Sequence, residues 1–86
     1  EEVVTLLFEN GLIGVVMDRF GRDAAVRIRD DKYFSVRVQV AVSGQFFGWL
    51  TGLGEGARIL APESVAEAYR LHLQKTLAGY AQKPAD

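Results

Sequence analysis

Cysteine is absent from this 86-residue chain, which excludes a disulfide framework, a thiolate metal site and a cysteine nucleophile. Histidine occurs once, at His72, with no carboxylate four residues on to share a metal. It falls beside an apolar helical stripe and reads as a helix-flank or interface residue rather than a ligand or base. A surplus of one charge is missing too. Ten Lys and Arg against eleven Asp and Glu leave a net charge of −1, so nothing draws the whole chain toward nucleic acid or a membrane surface. No apolar run approaches the roughly 20 residues of a membrane helix, and no signal peptide is visible. A cytoplasmic protein without a membrane partner is the expectation. Linkers, low-complexity segments and short-period repeats are also lacking.

What the chain does contain is enough for one small domain, whose core stays marginal unless a partner adds burial. It opens on a strand pattern at Glu1 rather than on methionine, and the expectation is a fragment of a longer soluble protein. Over Val3–Phe8, Val4, Leu6 and Phe8 share one face, and Val3, Thr5 and Leu7 the other. Apolar residues on both faces predict a central strand, or one with a covered outer face. Glu9-Asn10-Gly11 breaks it, with Asn10 as the expected N-cap of a helix. That helix carries Leu12, Ile13, Val16, Met17 and Phe20 on one side and stops at Gly21. Its β-branched residues and Gly14 make it intrinsically weak, so packing must hold it.

Ala24–Arg29 and Phe34–Val42 flank Asp30-Asp31-Lys32 as a hairpin. Val26, Ile28, Phe34, Val36, Val38, Val40 and Val42 are predicted to point inward. The opposite face collects Arg27, Arg29, Tyr33, Ser35, Arg37 and Gln39, the division a half-buried antiparallel sheet requires. An aromatic helix follows, starting after Ser43 and stopping by Gly54. It holds Phe46, Phe47, Trp49, Leu50 and Leu53. Arg58–Ala61 is a short strand, and Pro62 opens a long helix with Val65, Tyr69, Leu73 and Leu77 at every fourth position. The order is β-α-β-β-α-β plus a terminal helix. This is an α+β, ferredoxin-like plan with an added C-terminal helix. A single domain over 1–80 and a frayed tail over 81–86 are expected.

The succession becomes specific from Trp49-Leu50 through Gly54 and Ile59-Leu60-x-Pro62 to Leu77-x-x-Tyr80. Together with Val4, Leu6, Phe8, the Phe20-Gly21 helix end and the valine strand, it resembles the C-terminal extension, or WCX domain, of WYL-domain helix-turn-helix transcriptional regulators. The resemblance implies a regulatory domain of a bacterial regulator. It implies packing against the WYL domain of the same or a partner chain, and a homodimer. DNA would be met only through an N-terminal domain outside this sequence, and nucleic-acid effectors have been proposed for some members. The chain departs from the family at Ala66, where members often carry a basic residue. A rival reading is a free-standing small-molecule sensor of the ACT-like kind, with its pocket at a strand–helix turn.

Catalysis finds no support. The glycines at 48, 52, 54 and 56 follow a helix, whereas a phosphate cradle precedes one. Asp30 and Asp31 read as turn residues rather than paired acid–base carboxylates. No activated nucleophile or base is identifiable, so a non-enzyme without metal or cofactor is expected. Arg27, Arg29 and Arg37 with Tyr33 form the one patch with a functional reading. Guanidiniums on adjacent strands can fork onto phosphates and an aromatic can stack on a base. A solvated or interdomain face explains the same alternation. Val3 and Leu7 on the outer face of the first strand, and Leu71 off the main helical stripe, are the candidate dimer contacts.

Overall fold

A computed structural model describes residues 1–81. The elements run β1 (Glu2–Glu9), α1 (Ile13–Phe20), β2 (Ala25–Ile28), β3 (Tyr33–Val40), α2 (Gly44–Gly52), β4 (Ala57–Ala61) and α3 (Glu63–Ala81). The tail expected over 81–86 lies outside the described residues apart from Ala81, which ends α3. The four strands form one antiparallel sheet in the order β2-β3-β1-β4. Each of α1 and α2 therefore links two strands with a third lying between them.

The alternating pattern explains the core. Val4, Leu6 and Phe8 of β1 and Phe34, Val36, Val38 and Val40 of β3 are buried together with Val16, Phe46, Phe47, Leu50 and Val65 from the helices. One sheet face thus meets the helices, and β1 takes the central position its two-sided apolar pattern predicts. Trp49 is half-buried at the edge of this core. It stands edge-on to Phe20 at 5.3 Å and to Phe8 at 6.1 Å, with the Arg19 guanidinium 5.6 Å over its ring. Edge-to-face pairs and a cation over the indole each add to simple area burial.

Local chemistry sets most boundaries. The Ser43 hydroxyl accepts a hydrogen bond from the Phe46 amide at 3.3 Å, capping α2, and Gly54 has a φ of +66°, a left-handed turn suited to glycine. The Asp30 carboxylate accepts bonds from the Lys32 and Tyr33 amides, both at 2.8 Å. These two amides hold its pKa below the usual carboxylate value and close the β2–β3 turn as an Asx-type motif.

Three expectations need correction. Asn10 does not cap α1. Its side-chain amide donates to the Asp31 carbonyl at 2.9 Å and its backbone N–H to the Lys32 carbonyl at 2.9 Å. β1 runs on through Glu9 into a 3₁₀ turn, which leaves Asn10 beside the hairpin. Val26 and Ile28 are on the helix side, opposite Val36 and Phe34, yet they are 43% and 81% exposed. β2 is a four-residue edge strand, and the helices cover β1 and β3 rather than it. The stripe on the closing helix is buried only at its start. Val65 is in the core and Tyr69 is half-buried, while Leu77 and Tyr80 are 69% and 87% exposed.

Candidate functional site

The face of the sheet turned away from the helices is the candidate site, and strand register builds it. Arg58, Leu7, Ser35 and Arg27 form one row across all four strands. The next row is Ala61, Thr5, Arg37 and Ala25. On the other side, Glu9 stands opposite Tyr33, whose carbonyl accepts the Arg29 amide at 3.1 Å. At about 4.8 Å per strand, the first row places arginines at both ends of a strip about 14 Å wide.

Structure therefore brings Arg27, Arg29, Arg37 and Tyr33 onto one surface, together with Val3 and Leu7. Leu71 is elsewhere, exposed on α3. At 3.6 residues per turn it is roughly 160° around the helix from Leu73. Arg58 belongs to the face although sequence reasoning assigned it no role. Its place between Ala57 and the inward-facing Ile59 carried the signal, but only the pairing of β4 with β1 puts it in line with Arg27.

Two depressions mark this surface. Arg27, Arg29 and Arg37 wall a basin of about 310 Å³ over Thr5, Ala25 and Ser35. Ser35 is only 4% exposed, so short side chains floor the basin and long cationic ones rim it. A larger groove of about 630 Å³ lies beside it along the strands, lined by Leu7, Tyr33 and Arg58 and by the carboxylates Glu9 and Glu55. Gly56 is in the lining of this groove, packed so that a Cβ there would meet the end of the Leu12 side chain at 2.9 Å.

The electrostatics are unbalanced. Four of the chain's ten basic residues stand on this face. The one ion pair among the described residues is elsewhere, Arg70 to Glu67 at 2.7 Å on α3. There the Arg70 bond lowers the Glu67 pKa and raises that of Arg70. Arg27, Arg29, Arg37 and Arg58 have no carboxylate within bridging distance among the described residues; Asp30 is felt at Arg29, and Glu9 and Glu55 share the groove of Arg58, so cationic and acidic groups alternate along the face.

His72 is packed against aromatic rings. Its ring lies 5.2 Å from Phe47 and stacks on Tyr69 at 6.4 Å. Among the described residues no group of His, Asp and Glu side chains could hold a metal, and no helix is long and apolar enough to cross a membrane.

Comparison with known proteins adds one finding. The family model for the WCX domain matches residues 1–77, which takes in the whole sheet, both inner helices and most of α3. No curated protein and no solved structure gives a significant match.

Proposed function

This chain belongs to the WCX domain family, a regulatory domain of WYL-type transcriptional regulators, and from that premise we propose that it assembles the regulator as a dimer and relays effector binding to a DNA-binding domain. The module is non-catalytic in this reading, and it docks against the WYL domain of its own or a partner chain. The strand order, with each inner helix linking strands across a third, supports the ferredoxin-like plan.

The observation that carries the proposal is the far half of α3. Leu71, Leu73, Leu77 and Tyr80 are all exposed there, on a helix anchored by Val65, Tyr69 and His72 in its first half. Exposed apolar side chains on a small domain are costly in water and are commonly covered by another subunit. Leu71 is on the opposite side of the helix from Leu73, which suits a helix contacted from two directions, by a second copy and by a WYL domain.

Sedimentation equilibrium of the chain and of the intact regulator tests this. A dimer that Leu77→Glu disrupts in both, with loss of effector response in the intact regulator, supports the reading. Monomers throughout, or an unaltered dimer in the variant, would remove α3 from the interface.

A further inference from the structure

The outer sheet face carries a more specific assignment than docking. We propose that it binds a nucleoside phosphate, with the phosphate in the basin among Arg27, Arg29 and Arg37 and the base against Leu7 and Tyr33 in the adjoining groove. The inference rests on the regulatory reading only for its biological use; the binding itself is a property of this chain.

The basin has the chemistry of a phosphate site. Arg27 on β2, Arg29 just past its end and Arg37 on β3 all line it, and none is in an ion pair among the described residues, although the Asp30 charge is felt at Arg29. Arg29 follows Arg27 by two residues, just past the end of β2, where its backbone N–H still donates to the Tyr33 carbonyl, and Arg37 is diagonal to Arg27 across the β2–β3 ladder. Such diagonal neighbours stand about 7–8 Å apart, close enough for long side chains to reach one tetrahedral anion from different sides. Guanidinium forks match phosphate oxygens with charge-assisted bonds. The floor is low because Thr5, Ala25 and Ser35 are small, and two of them offer hydroxyl donors.

The groove beside it selects what the phosphate is attached to. Leu7 shares its row with Ser35 of the basin, and Tyr33 follows two residues before Ser35 on β3. The two depressions are thus separated by one or two strand spacings, about 5–10 Å, a gap a sugar can span. Leu7 and Tyr33 supply an apolar and an aromatic surface for a flat ring, and Arg58 can stack on its far side. Glu9 and Glu55 line the groove as well, Glu9 directly opposite Tyr33. They suit the exocyclic amino donors of a base, which carboxylates accept.

Those same carboxylates argue against a long polyanion. A strand of nucleic acid leaving the basin along the groove would bring further phosphates toward Glu9 and Glu55. An acidic protein segment would meet the same repulsion. One phosphate joined to one base fits the alternation of cation, apolar surface and carboxylate.

Backbone amide NMR of the 86-residue chain tests the assignment, titrating separately with adenosine and cytidine monophosphates, inorganic phosphate, a short single-stranded oligonucleotide and an Asp/Glu-rich peptide. Saturable shifts with a nucleoside monophosphate should centre on Thr5, Ala25, Ser35 and Tyr33. Arg27→Gln and Arg37→Gln should each weaken binding by about tenfold or more, the loss expected for one charge-assisted bond. Tyr33→Ala should weaken the nucleotide and leave inorganic phosphate unchanged. Circular dichroism checks that each variant folds, and Arg37→Lys, which keeps the charge but loses the fork, should give an intermediate affinity. Absence of saturable nucleotide shifts overturns the proposal. Equal affinity for inorganic phosphate and nucleotide overturns it as well, as does tighter binding of the oligonucleotide or the peptide at the same residues. Sedimentation of the same samples separates this outcome from the regulatory reading: nucleotide binding by a chain that never dimerises sinks only the latter, and a dimer that ignores nucleotides sinks only the former.

Discussion

The hydroxyls of Tyr69 and Thr51 lie 3.0 Å apart, the one side-chain hydrogen bond among the described residues that joins α3 to α2. Around it, Tyr69 and His72 pack on Phe47 at 5.2 Å each. Past this cluster α3 has no comparable hold, and its apolar residues face solvent. The cluster therefore marks where α3 leaves the body of the domain.

Tyr69→Phe should cost about 0.5–1.5 kcal/mol, the net value of one hydrogen bond. Tyr69→Ala should cost more, though less than the roughly 3–5 kcal/mol of a fully buried aromatic, because Tyr69 is half-buried. Urea denaturation of the two variants checks the order; equal midpoints would show that the ring and its hydroxyl do not anchor α3.

Trp49 joins α2 to α1 and β1 through Phe20 and Phe8. Trp49→Ala should destabilise the domain by about 3 kcal/mol, near the low end for aromatic truncation. Arg19→Ala should cost well under 1 kcal/mol, since the cation–π contact is at the surface. Thermal melts that rank Arg19→Ala as the more damaging would refute this packing.

Ile28 and Leu6 make a contrasting pair on the same side of the sheet. Ile28→Thr should alter stability by no more than about 0.5 kcal/mol, as surface substitutions usually do. Leu6→Ala should cost about 2–5 kcal/mol, for Leu6 is fully buried. A severe Ile28→Thr phenotype in the isolated chain would mean that β2 is covered in solution.

The Asp30 carboxylate has its pKa lowered by the bonds it accepts from the Lys32 and Tyr33 amides. A depressed folded-state pKa contributes stability that is present above the ordinary value of 3.8 and fades as pH falls through the lower folded value. The Lys32 and Tyr33 amide resonances should accordingly titrate with a midpoint below 3.8, and Asp30→Asn should abolish that titration while keeping the turn. A midpoint at or above 3.8 would mean that the bonds do not form in solution.

Much of this was legible along the chain. Alternation over Val4–Phe8 and Phe34–Val40 marked the buried face, Ser43 and Gly54 marked the limits of α2, and Asp30 marked the turn. These signals are local, because side-chain period, capping and turn chemistry depend on a few neighbouring residues. The Trp49-to-Tyr80 succession, together with the upstream strand pattern and the Phe20-Gly21 helix end, pointed to the family whose model matches residues 1–77. Other features depended on non-local pairing. Val26 carries the same inward signature as Val36, and only the edge position of β2 leaves it exposed. Arg58 gave no sign of standing in a row with Arg27 until β4 paired with β1. The period of α3 persists to Leu77, but burial ends where the body of the domain ends. Sequence determined which way each side chain points; strand order and the reach of the helices decided what it meets there.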